Sequence, residues 1–155
     1  ELMPSLVGSE MCIRDSFMTP QDMARIHAAA FVQDRAWTAQ EIADLLASPF
    51  VTHLAEPQGF TLTRLIAGEA ELLTLAVDPA AQRQGIGRLL LHRWMDGLEA
   101  QADTAFLEVA ADNTAAIALY TSAGFHQTAT RRGYYQRKDA PSVDALILSR
   151  QFTHG

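Results

Sequence analysis

Hydrophobic and polar positions first fall into a clear period after Thr19. Thr19-Pro20-Gln21-Asp22 supplies an N-cap, a proline at the first helical position and an acid in the first turn, and Met23, Ile26 and Ala30 then share one helical face. Thr38-Ala39-Gln40-Glu41 is a capping box that leads into Ile42, Leu45 and Leu46, with Pro49 as the stop. From Phe50 the period shortens to that of strands. Residues 50–55, 60–66 and 71–77 are predicted strands, joined at Glu56-Pro57-Gln58-Gly59 and Ala67-Gly68, and short connections of this kind make an antiparallel meander. The third is apolar at nearly every position, as in a strand covered on both faces. A helix over 85–100 follows, carrying Leu89, Leu90, Leu91, Trp94, Met95 and Leu98. Beyond it come a strand over 105–110, a helix from about 113 to 123, and strands near 125–131 and 145–149. This order predicts an α/β (α+β) fold, a mixed central sheet with helices on both faces.

Residues 1–16 sustain neither period. The string Gly8-Ser9-Glu10-Met11-Cys12-Ile13-Arg14-Asp15-Ser16 reads as a translated adapter, so the natural chain is expected to begin near Met18 and residues 17–155 to form a single domain. Deletion of residues 1–16 is then expected to leave the melting temperature nearly unchanged. The 155 residues suffice for one core, and 48% hydrophobic with 19% charged residues is a globular composition. A net charge of −6 argues against binding nucleic acid by general electrostatics; it suits a basic partner, and it also serves solubility. The single Cys12 cannot close an internal disulfide, which fits a reducing compartment, and no apolar run approaches the roughly 20 residues that span a bilayer. The expectation is a soluble cytoplasmic protein, monomer or weak dimer, that uses neither membrane nor nucleic acid. The five histidines show no His-x-x-x-His or Cys-His spacing, so no metal is expected.

The chemistry centres on the strand–turn–helix of residues 71–98. After the strand the chain stops at Asp78-Pro79, passes through Gln82-Arg83-Gln84-Gly85-Ile86-Gly87 and enters the helix beside Arg88. Glycines let the backbone approach a ligand, the free N–H groups of the first helical turn point at it, and Arg83 and Arg88 add positive charge, which together suit a diphosphate. A bare strand-to-helix turn has the same letters. Arg88-Leu89 after Gly87 excludes the phosphate loop of nucleoside triphosphatases, and Leu90 excludes the dinucleotide fingerprint. Glu108 lies inside the apolar string Ala105-Phe106-Leu107-Glu108-Val109-Ala110, where a carboxylate needs a partner, water or a task. An arginine pair or a solvent-facing strand end satisfies that need as well as catalysis does. Tyr120 shares a helix face with Asn113, Ala116 and Ile117; core packing with a satisfied hydroxyl is its plain reading, and an N-cap is that of Asn113.

Val77-Asp78-Pro79, Gln82-x-x-Gly85-x-Gly87 and the apolar helix resemble the acetyl-coenzyme A motif of the GNAT N-acetyltransferases. Leu107-Glu108-Val109, Asn113, Ala116-Ile117-Ala118-Leu119-Tyr120 and Gly124-Phe125 are similar to the second half of the same pattern. Within the family the likeness is nearest the RimI type, the ribosomal-protein-alanine N-acetyltransferases. It runs from about Ala30 to Arg150.

The resemblance implies the GNAT fold, acetyl-coenzyme A as co-substrate, and transfer to an amine, in particular the N-terminal α-amine of a ribosomal protein. It implies Glu108 as general base and Tyr120 as proton donor to the departing thiolate. The cofactor-binding set it implies is Leu75, Ala76, Val77, Gln82, Arg83, Gln84, Gly85, Ile86, Gly87, Arg88 and Asn113. In this fold the first two helices border the acceptor groove, so Phe31 and Trp37 either shape it or pack the core, and the segment 131–135 either approaches the acceptor or is a solvated turn. Its usual first strand is expected to be missing or improvised if residues 1–16 are foreign. RimI-type chains often carry Arg after the Leu-Glu-Val strand, where this chain has Ala110. Two rivals stand beside this reading: the same fold acting on lysine, polyamine or drug amines, and a coenzyme A-binding module without catalysis.

Overall fold

A computed structural model describes residues 18–153. Their elements run α1 (Pro20–Ala30), α2 (Ala39–Leu46), β1 (Val51–Glu56), β2 (Gly59–Ile66), β3 (Glu69–Val77), a 3-10 turn (Pro79–Ala81), α3 (Ile86–Leu98), β4 (Thr104–Ala110), α4 (Thr114–Ser122), β5 (His126–Tyr135) and β6 (Val143–Gln151). The leader, with Cys12 and the strand expected to be missing or improvised there, lies outside the described residues.

Both helix starts form as their letters dictate. Thr19 accepts from Asp22 N–H at 3.1 Å and Thr38 from Glu41 N–H at 3.0 Å, and each acid reaches back to its threonine's N–H. These reciprocal bonds satisfy donors that a helix start leaves orphaned. Ala67 and Gly68, at φ 52° and 82°, make the tight turn that closes the β2–β3 hairpin.

The described strands form one sheet in the order β1-β2-β3-β4-β6-β5, with β3 and β4 parallel and the other neighbours antiparallel. One face is covered by α1 and α2, whose Met23, Ile26 and Ile42 pack on Phe60, Leu62 and Ala76. The other is covered by α3 and α4, where Leu91, Trp94, Leu98 and Tyr120 pack with Leu72, Leu107 and Leu148. The last two strands outrun their expected limits, because β5 is an edge strand exposed along most of its length and shows no apolar alternation to read. The segment 131–135 is accordingly the end of this strand and not a turn. Leu89, expected on the apolar face of its helix, is 47% exposed.

The middle of the sheet carries one irregularity. Thr63 pairs with Leu72 and Leu62 with Thr74, so Leu73 is an extra residue with no partner opposite it. Such a bulge bends and overtwists its strand. The parallel pairing of β3 with β4 ends at the same place, at Leu72 opposite Leu107, although both strands continue.

Candidate active site

The sheet is split beyond Leu72 and Leu107. β3 stays on β2 as far as Gly59 opposite Val77, and β4 stays on β6 as far as Ala110 opposite Ala145, so a gap opens between two strands that are each held from outside. Main-chain groups of successive residues in an antiparallel pair point to opposite sides. Asp78 N–H donates to Gln58 C=O at 2.8 Å, so Ala76 also turns its main chain to β2 while Leu75 and Val77 turn theirs toward the gap. The split therefore exposes polar backbone in an apolar setting, as an extended ligand with amide groups would require.

At one end of the gap is the glycine turn. Asp78 caps the short 3-10 turn through Ala80 N–H at 2.9 Å, and the Gln82 side chain donates to Val77 C=O at 3.1 Å, which ties the turn to the strand end. Arg83 adopts φ 67° and Gly85 φ 83°. A left-handed arginine is strained, and strain of this sort persists where the surroundings enforce it. A Cβ on Gly85 would meet nothing within 4 Å, so the space in front of α3 is an open cradle. Gln82, Arg83, Gln84 and Arg88 are exposed around it, Ile86 begins the helix, and Arg88 lies 3.4 Å from the Ser122 hydroxyl of α4. A Cβ on Gly87 would meet Leu75 and Leu119 at ordinary contact distance, whereas one on Gly59 would come within 2.9 Å of Ile86. Gly59 thus lets the helix start sit close against the strand ends. The open cradle and the donor set of helix-start N–H groups and arginines fit a diphosphate.

Of the acid–base candidates, Glu108 stands on β4 where the strands part, the throat of the gap, and Tyr120 stands on α4 within the core that covers that face of the sheet. Glu108 is part-buried just past the split and its carboxylate lies 3.4 Å from the Arg131 guanidinium on β5. Tyr120 is 6% exposed, edge-on to Phe125 at 6.1 Å, and burial raises its phenol well above the ordinary value, with Tyr135 adding to the effect. Tyr135 is pushed up to about 12, by burial first and then by the charge of Glu108. It therefore stands within electrostatic reach of both candidates and links them. Asn113 accepts from Ala116 N–H at 3.2 Å as the N-cap of α4, which leaves its amide NH2 for a ligand.

Side chains far apart in sequence also meet between the α1–α2 loop, the β4–α4 turn and the segment after β5. Arg137 is 6% exposed, donates to Asp34 in the α1–α2 loop and to Asp112 in the β4–α4 turn at 2.9 Å, and lies 5.8 Å from the Tyr135 ring centre. Burial raises the Asp34 carboxyl and Arg137 opposes the rise. Phe31 and Trp37, part-buried, close on His27: the Trp37 ring stacks at 4.7 Å and 21°, and Phe31 tilts at 4.7 Å. His27 is 4% exposed and held down to about 4, mainly by burial and then by Arg35, with Glu41 opposing. Arg137, Asp34 and His27 were not singled out from sequence, whereas Tyr135 closes the segment 131–135 that was expected either to approach the acceptor or to form a solvated turn. Among the described residues no group of three or more His, Cys, Asp or Glu side chains is placed to share a metal ion, and no helix is long and apolar enough to cross a membrane.

Comparison with known proteins bears on this geometry. A family profile described as "Acetyltransferase (GNAT) family" matches residues 20–125. The chain is 44% identical over 100 residues to the [ribosomal protein bS18]-alanine N-acetyltransferase of Escherichia coli K12, covering 64% of this chain and 67% of that protein. It is 38% identical over 139 residues to the N-alpha-acetyltransferase RimI of Mycobacterium tuberculosis, covering 84% and 85%. The crystal structure of the Escherichia coli ribosomal-protein-S18-alanine N-acetyltransferase superposes with a TM-score of 0.77 at 34% identity, over 86% of this chain and 90% of that one. Arabidopsis thaliana NAA60, solved in complex with acetyl-CoA, shares the fold at 16% identity and a TM-score of 0.70, over 86% and 94%. The split sheet, the glycine turn that caps it and the span of these matches agree: the chain belongs to the GNAT acetyltransferase family.

Proposed function

We propose that this chain transfers the acetyl group of acetyl-coenzyme A to the N-terminal α-amine of a ribosomal protein, by direct attack with both substrates held in the split of the sheet. The observation that carries the proposal is the parting of β3 from β4 at Leu72 and Leu107, with open space before the glycine turn at one end and Glu108 at the throat, Tyr135 within its electrostatic reach. The names of the relatives supply the acceptor. In this reading the N–H groups that follow Gly85, from Ile86 and Gly87 on, hold the diphosphate with Arg83 and Arg88, Gln82 and Gln84 flank it, and Leu75 and Val77 hold the amide-bearing arm by main-chain bonds while Ala76 between them stays on β2. Asn113 offers its NH2 from the far wall.

Acetyl-coenzyme A supplies an acyl carbon activated as a thioester. Glu108 draws off a proton from the incoming ammonium, directly or through water, because an α-amine near pKa 8 is mostly protonated at neutral pH. The freed nitrogen attacks the thioester carbon and the carbon–sulfur bond breaks; the second proton, shed by nitrogen as the amide forms, passes through water to the departing sulfur, while the proton held by Glu108 returns to solvent. Tyr120 keeps its proton at neutral pH and donates a hydrogen bond to the departing sulfur; its burial makes it a better donor of that bond than a source of a free proton. Most of the acceleration comes from orienting two substrates in one cleft. No acyl-enzyme is needed.

The test is to supply the purified chain with acetyl-coenzyme A and a peptide beginning with alanine, then follow thiol release and map the acetyl group by mass spectrometry. Acetylation of the peptide α-amine, faster than that of lysine side chains, spermidine or aminoglycosides, is expected. Preference for any of those amines would reassign the acceptor, and binding of acetyl-coenzyme A without transfer to any amine would reduce the chain to a binding module.

A further inference from the structure

The candidate base already has a cation against one of its two oxygens. A guanidinium of Arg131 sits 3.4 Å from the Glu108 carboxylate, and Glu108 has one cation beside it before any acceptor arrives. An α-ammonium needs the same oxygens, because only a carboxylate within hydrogen-bond reach can take its proton. The two cations compete. Arg131 is 54% exposed, on an edge strand, and its guanidinium carbon is already 5.3 Å from the centre of the Tyr134 ring, itself half exposed. A ring face is an alternative seat for a guanidinium, and a half-exposed ion pair is weak enough to exchange.

We infer that Arg131 is a placeholder cation: it occupies Glu108 while the acceptor groove is empty, and it yields to the acceptor's α-ammonium by swinging off the carboxylate toward solvent while it keeps its place over Tyr134. The inference rests on Glu108 being the base in the proposed reaction. Its consequence is discrimination. An acceptor must bring a positive charge to the throat to displace Arg131, so a peptide whose amine is already acetylated has nothing to exchange and does not displace the guanidinium.

The experiment is calorimetric titration of an alanine-starting hexapeptide, and of its α-acetylated form, into the chain saturated with coenzyme A. Wild type, Arg131→Gln and Arg131→Lys are compared. Arg131→Gln removes the competing charge, so the free-amine peptide is expected to bind about threefold to tenfold tighter and with greater sensitivity to salt, while the acetylated peptide is unaffected. Arg131→Lys retains a cation and is expected to bind both peptides as wild type does. A role confined to folding would not tighten binding of one peptide only. Equal or weaker binding of the free-amine peptide by Arg131→Gln overturns the inference, as does equal tightening for both peptides. Turnover keeps the two ideas apart. If wild type acetylates the peptide and Glu108→Gln does not, an unchanged affinity in Arg131→Gln removes the placeholder alone; if Glu108→Gln turns over like wild type, the base assignment falls and the placeholder with it.

Discussion

The two ends of the split sheet are built by different means. In the proposed function one end serves the cofactor and the other the acceptor. The cofactor end is made of main chain: a bulge at Leu73, a strand stop at Asp78-Pro79, two left-handed residues and a helix start, all within Leu72 to Arg88. The acceptor end is made of side chains, with Arg137 joined to Asp34 across 103 positions and to Asp112 across 25, and Arg131 to Glu108 across 23. A site for a constant ligand is well served by backbone geometry that side-chain changes do not disturb. A site for a chosen acceptor is better served by side chains that can be exchanged one at a time.

The largest expected effect is at the junction of the two ends. Glu108→Gln and Tyr120→Phe are each expected to lower kcat about 10²-fold or more, with the KM for acetyl-coenzyme A little changed, measured by thiol release. Rates near wild type in both would remove the pair from the chemistry.

Arg137→Met sharpens the contrast from the acceptor side. It leaves Asp34 and Asp112 without their shared cation; both carboxylates reach solvent, so a stability loss of about 1–2 kcal/mol in denaturant titration and a raised acceptor KM are expected. Acetyl-coenzyme A affinity is expected to change little, and a larger fall there than for the acceptor would break the comparison.

Acid acts on the same side through His27. Its folded-state pKa of about 4 lies below the unfolded value of 6.5, so its stabilising effect is complete above the unfolded value and is lost as pH falls toward the folded one. The loss is about 2 kcal/mol by pH 5, read as a falling melting temperature that His27→Phe flattens.

The smallest effects are on the cofactor side. Gly85→Val places a Cβ in the cradle at a φ that valine resists, and the KM for acetyl-coenzyme A is expected to rise about tenfold while that for the acceptor holds. Gly87→Ala, where a Cβ meets only ordinary contacts, is expected to change neither by more than about twofold.

By itself the sequence determined the local parts: both helix starts, the meander, the turn at Ala67-Gly68, the glycine turn and the helix it starts. Each depends on neighbours within a few residues, on caps, φ preferences and hydrophobic period, and those are written in order along the chain. Glu108 and Tyr120 were legible as residues with unusual surroundings, and the family pattern supplied their roles. What only the tertiary structure decided is which distant groups meet. Tyr135 lies within reach of Glu108 and Tyr120, Arg137 binds two loops, and Arg131 occupies the carboxylate, because β6 inserts between β4 and β5 and brings the edge strand beside the throat. Pairings of that length leave no periodic trace, since an exposed edge strand obeys no hydrophobic alternation and an ion pair needs only that two charges arrive at one place.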